Sequence, residues 1–142
     1  MYKHIKNELL LREISCRFED DTFQFQHPKF PEQIDCILTE EDGQMCFVAD
    51  YELPTTARIE DDKLYSLINK INYDNDFGNL ETDGNGLIVF KLNTFLPNSL
   101  GGAKDAFCSA LDFFLKKAPL EFRKLEIVVN KFHNQHKEVK SC

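Results

Sequence analysis

The sequence has few of the residues that punctuate or crosslink a chain. Its 142 residues include 6 glycines, 5 prolines and no tryptophan, which excludes a fibrous repeat or a low-complexity chain. The 5 cysteines are odd in number and widely spaced, and no two of them form the CxxC pair of zinc and redox sites. This usage predicts reduced thiols and, with them, a cytoplasmic location.

Long apolar runs are also missing. No stretch approaches the roughly 18 apolar residues that a membrane-spanning helix needs. The first residues, from Met1 to Glu8, lack the apolar centre of a secretory signal. The sequence therefore predicts a protein without a membrane partner.

Positive charge is in deficit. The chain has 17 lysines and arginines against 24 aspartates and glutamates, a formal net charge of −7. A field of this sign repels the phosphate backbone of nucleic acids, so we expect no nucleic-acid partner.

Catalytic and metal-binding motifs are absent as well. No serine or cysteine lies in a nucleophile motif such as GxSxG, and no glycine-rich loop is followed by the lysine of a phosphate-binding loop. His133 and His136 are three residues apart with Cys142 downstream, but a zinc site needs three or four rigidly held ligands. Acidic clusters at 19–21, 40–42 and 60–62 fall where turns or helix starts are expected. We expect no enzyme activity, no cofactor and no metal.

The spacing of apolar residues is the main structural signal in this sequence, and its period changes along the chain. Residues 2–12 carry Tyr2, Ile5 and Leu9 at helical spacing. Between residues 14 and 53 the period becomes two, which is typical of strands. The Asp42-Gly43 step supplies the positive φ of a tight turn, so segments 34–40 and 44–52 should pair as an antiparallel hairpin.

The second half alternates helix, hairpin and helix. Acids at 60–62 precede a helical stripe, and Asp83-Gly84-Asn85-Gly86 predicts a hairpin between 79–81 and 87–92. A long helix is expected from Ala103, with a kink or restart at Pro119. Residues 120–132 could be helix or strand, and we favour helix. The polar tail 133–142 should fray.

This order predicts one domain over residues 1–142, of α+β class, with an antiparallel sheet of about five strands and helices gathered on one face. Strand 87–92 is apolar on both sides: Leu87 and Val89 point one way and Ile88, Phe90 and Leu92 the other. In a sheet that helices cover on one face only, the strand should be apolar on that side alone. Either helices cover both faces or a partner covers one, so we expect self-association.

Three segments resemble the YbjN family of bacterial proteins, a family of proposed sensory-transduction regulators. They are Leu64 to Tyr73, Phe77 to Glu81 and Gly86 to Leu92. The resemblance implies a fold like that of type III secretion chaperones, with a five-stranded antiparallel sheet flanked by helices, and a homodimer.

The leading functional hypothesis is a non-enzymatic, regulatory or chaperone-like module that holds an apolar or extended segment of a partner protein. Such binding leaves no sequence motif. The candidate partner-binding or dimer face consists of Phe23, Phe25, Phe47, Ile88, Phe90 and Leu92. One alternative is a type III secretion-type chaperone for a specific effector. Another is a small enzyme or small-ligand receptor with an enclosed pocket.

Overall fold

The computed structural model describes residues 2–28, 30–39, 43–54, 58–75, 78–95, 97 and 100–141. Its elements in chain order are α1 Tyr2–Leu11, β1 Cys16–Glu19, β2 Thr22–Gln26, β3 Gln33–Thr39, β4 Gln44–Glu52, α2 Asp61–Tyr73, β5 Asn79–Gly84, β6 Leu87–Phe95 and α3 Leu100–Ser141. The α+β class is confirmed. The turn residue Asp42, Phe77 of the family resemblance and Cys142 lie outside the described residues.

The described strands form one antiparallel sheet of six in the order β1-β2-β3-β4-β6-β5. The short strand β1, paired with β2, makes the sheet one strand wider than the expected five. Both predicted hairpins are present: β3 pairs with β4, and β5 with β6. The second hairpin turns at Asn85 and Gly86, whose φ angles of 61° and 78° are those the sequence predicted for a tight turn.

Aromatic side chains fix α3 against the middle of the sheet. The Phe47 ring lies with its centroid 5.6 Å from that of Phe107 and 5.7 Å from that of Phe114, and Phe90 lies 5.6 Å from Phe114. These contacts place α3 over β4 and β6. The helix α1 packs beside α3, and α2 packs against both α3 and β5. All three described helices therefore cover the same face of the sheet.

The helix α3 is longer and more regular than the sequence predicted. It runs unbroken for 42 residues and includes Pro119. Ala118, Phe122 and Leu125 are buried on either side of the proline, so core packing holds the helix through the missing backbone hydrogen bond. Residues 120–132 are helical, as favoured. The helix also continues to Ser141, through the segment expected to fray.

Candidate functional site

The residues expected to form the partner face lie in the core of the chain. None of the six is more than 6% exposed: Phe23, Phe25, Phe47, Ile88, Phe90 and Leu92. They alternate along their strands with outward-pointing residues, and their shared face is the one that the helices cover. Strand β6 is apolar on both sides, as predicted. The hypothesis, however, assigned Ile88, Phe90 and Leu92 to a partner, and these residues lie on the side that the helices cover. These side chains are not accessible to a partner in this structure.

The opposite face of the sheet is covered by no described helix. Its apolar side chains are half-buried or exposed and lie on strands β3, β4 and β6: Ile37, Cys46, Val48, Leu87, Val89 and Phe95. We call this set the outward face. Ile37 lies opposite Cys46 in the β3–β4 register, and Val48 lies opposite Lys91 in the β4–β6 register. An antiparallel sheet with one solvated face normally carries polar side chains there, so this apolar centre is unusual.

Two carboxylates, Asp35 and Asp50, border this apolar centre. Asp35 lies directly opposite Val48 in the β3–β4 register, and Asp50 lies two residues beyond Val48 on the same strand. Asp35 accepts a hydrogen bond from Gln33 Nε2 at 2.9 Å, and neither aspartate forms an ion pair with a described residue. By contrast, Lys91 Nζ lies 2.9 Å from Glu81 Oε2, a hydrogen bond that raises the pKa of the lysine.

A second concave surface lies on the helix side. Phe30, Pro31, Glu32 and Tyr51 form one wall, and residues of α3 from Pro119 to Asn130 form the other. The α3 residues recur at three- and four-residue spacing, so they share one helix face. The space between the walls is about 550 Å³. We call it the α3 groove.

A tyrosine and a glutamate meet across the α3 groove. Tyr51 Oη donates a hydrogen bond of 2.6 Å to Glu126 Oε2, and the Tyr51 ring stacks on Phe122 with centroids 5.0 Å apart and planes 22° from parallel. Burial, then the hydrogen bond to Glu126 and its charge, raise the pKa of Tyr51 to about 12. The phenol therefore stays protonated at physiological pH and acts as a donor.

None of the described thiols is activated as a nucleophile. Four cysteines are free: Cys16, Cys36, Cys46 and Cys108. Burial raises the pKa of each thiol, whereas a reactive thiol needs a lowered pKa. Among the described residues no cluster of three or more histidines, cysteines or acids could hold a metal ion. No helix in the described ranges combines the length and hydropathy needed to cross a membrane.

The pairing of Tyr51 with Glu126 could not be found in the sequence. The two residues are 75 positions apart in the sequence. They come together, with the segment from Phe30 to Glu32, only because the sheet packs on α3. The outward face could be predicted in part from the sequence, because Leu87 and Val89 alternate with Ile88 and Phe90 and make β6 apolar on both sides.

The fold belongs to a structural class in which helices cover one face of an antiparallel sheet, and here no described helix covers the apolar second face. No protein-family model matches the sequence, and a search of curated proteins finds no match. Among solved structures, the chain is similar to YbjN of E. coli, whose description proposes a role as a transcription regulator. The TM-score is 0.55 at 13% sequence identity, with 96% of this chain and 93% of YbjN covered. This likeness shows a YbjN-like fold.

Proposed function

We propose that this chain is a non-enzymatic regulatory module that binds an apolar or extended segment of a partner protein on the outward face. The observation that supports this most is the half-buried state of Val48, Val89 and Leu87 on a face that no described helix covers. Apolar surface of this kind is stabilised when a partner removes it from water. The YbjN-like fold supports a regulatory role and a relationship to the YbjN family, and the free thiols support a cytoplasmic location.

The test compares two double variants of the full chain in affinity capture from the native cell. Val48→Glu with Val89→Glu places two charges on the outward face. Ser66→Glu with Ser109→Glu adds the same charge at exposed positions on α2 and α3. We expect the partner to be lost from the first variant and kept by the second. Retention of the same proteins by both variants, with folding confirmed by circular dichroism, would contradict the proposal.

We also propose homodimerisation, with a second copy of the chain as one candidate for the partner. The apolar surface available for a dimer is smaller than the sequence suggested, because the chain's own helices cover Ile88, Phe90 and Leu92. The apolar side chains on the other side of β6 are Leu87, Val89 and Phe95. Light scattering at micromolar concentration should give about twice 16.5 kDa for the wild type, and 16.5 kDa for the Val48→Glu, Val89→Glu variant. A wild-type mass of 16.5 kDa would exclude the second copy.

A further inference from the structure

The α3 groove lies where the helical layer is incomplete. The helix α1 packs along the first part of α3, with Glu8 Oε2 3.4 Å from Lys104 Nζ and Arg12 Nη1 3.3 Å from Asp112 Oδ1. The groove begins beyond these contacts, at Pro119. Its volume of about 550 Å³ lies in the range of roughly 300–1,000 Å³ that small-molecule sites occupy.

The floor of the groove is aromatic. Phe30 and Phe122 are each 5% exposed, so they belong to the core and support Tyr51, which stacks on Phe122 and is the half-buried ring that a ligand can reach. Ring faces attract cations, because the π electrons make the face of the ring negative. Tyr51 and Ile127, which is 52% exposed, also provide apolar contact for the body of a ligand.

The charge inside the groove is negative. Glu126 is half-buried, and Tyr51 occupies only its Oε2 atom. Its Oε1 atom accepts no hydrogen bond from a described residue. The other charged residues of the lining, Glu32 and Arg123, are exposed and more strongly screened by water. The least screened charge in the groove is therefore a carboxylate with one oxygen open.

Both donors and acceptors line the groove: Arg123 and Asn130 carry N–H groups, and Glu32, Glu126 and Asn130 carry acceptor oxygens. A carboxylate or phosphate placed beside Tyr51 would face Glu126. A donor with positive charge suits the same position.

We propose that the α3 groove binds a small organic cation, an ammonium carried on an apolar body, with its nitrogen at Glu126 Oε1 and its body against Tyr51 and Ile127. The apolar body is required because an ammonium alone would leave most of the volume unfilled. This proposal does not depend on the proposed function, since the groove and the outward face lie on opposite sides of the sheet.

The test uses three matched probes with the full chain: 4-phenylbutylamine, which is cationic at neutral pH, 4-phenylbutanol, which is neutral, and 4-phenylbutyrate, which is anionic. Affinities are measured by calorimetry, and the site is located by NMR chemical shifts. We expect the amine to bind about ten-fold more tightly than the alcohol, and the anion more weakly than either. The Glu126→Gln variant, whose amide oxygen can still accept the Tyr51 hydroxyl, should lose that ten-fold preference.

The control is Glu81→Gln, which removes one carboxylate from the opposite side of the sheet and should leave all three affinities unchanged. Equal binding of amine and alcohol, tighter binding of the anion, or no binding of any probe at millimolar concentration would overturn the proposal. So would an unchanged amine preference in Glu126→Gln. Binding of a lysine-containing peptide but not of 4-phenylbutylamine would also overturn it, and would show that the groove receives a basic side chain of a protein.

Discussion

Glu121 carries a charge at a position that the fold removes completely from water. Its side chain is 0% exposed, and its Oε1 atom lies 3.2 Å from Lys117 Nζ and 3.0 Å from Lys124 Nζ. Its Oε2 atom is buried without a hydrogen-bond partner among the described residues. A buried carboxylate is costly, and the two lysines offset that cost only while both remain close to it.

This arrangement predicts an asymmetry between two substitutions. Lys117→Met should lower the free energy of unfolding by about 1–2 kcal/mol, because the carboxylate stays buried with only the more exposed Lys124 beside it. Glu121→Met should leave stability unchanged or raise it by about 1 kcal/mol, because the charge is gone and an apolar side chain fills the space. Urea denaturation of both variants measures the difference. A larger loss in Glu121→Met than in Lys117→Met would contradict the account.

Tyr51 gives a prediction for alkaline pH. Its pKa rises from 10.0 in the unfolded chain to about 12 in the fold, chiefly through burial. A raised pKa favours the protonated form in the folded state, so this contribution to stability is complete below about pH 10 and is lost as the pH approaches 12.

The test is the stability difference between the wild type and Tyr51→Phe, since other titrating groups are common to both. The advantage of the wild type should shrink between about pH 10 and 12 in urea denaturation. A difference that stays constant over this interval would show that the Tyr51 pKa is not raised.

At the scale of elements, the connection between α2 and β5 depends on Gly78. Its φ is +84°, and a Cβ at this position would lie 2.5 Å from Phe90 Cζ and 3.1 Å from the carbonyl oxygen of Lys91. Gly78→Ala should therefore lower the free energy of unfolding by about 2–4 kcal/mol, through backbone strain and displacement of a core ring.

Gly101 is the matched control. A Cβ there meets nothing within 4 Å, and the residue lies in α3, so Gly101→Ala should be neutral or stabilise by up to about 1 kcal/mol. Both values come from urea denaturation. Equal effects of the two substitutions would mean that Gly78 has no special role.

The elements with local signals could be predicted from the sequence. The hairpins that turn at Gly43 and Gly86 need a positive φ at these glycines. Asp-Gly and Asn-Gly steps in the sequence indicate such turns directly. The kink or restart predicted at Pro119 is absent from α3. Helix propensity describes an isolated helix, whereas in the fold the burial of Phe122 and Leu125 keeps the helix continuous. The α3 groove could not be predicted, because its walls come from segments far apart in the chain.

Which side of the sheet is exposed is a property of the whole molecule. Alternation along β6 showed two apolar faces, but only the assembled layers show that the helices cover Ile88 and Phe90 and leave Leu87 and Val89 outside. The outward face also carries Asp35 and Asp50 beside Val48, so we expect partner binding there to weaken with salt if the partner is basic.

The chain contains its own reporter for the central claim, that the outward face is a binding surface. Cys46 is a half-buried free thiol on that face, whereas Cys36 points into the core and Cys108 is half-buried on the helix side. Burial raises the pKa of Cys46, so labelling should be done at about pH 9, where some thiolate is present.

The measurement is the alkylation rate of Cys46, followed by mass spectrometry in the free chain and in the chain bound to its captured partner. We predict that the partner slows alkylation of Cys46 strongly, while Cys108 keeps its rate and Cys36 stays unreactive in both samples. Alkylation of Cys46 at the same rate in the free and bound chain would contradict the assignment of the outward face as the binding surface.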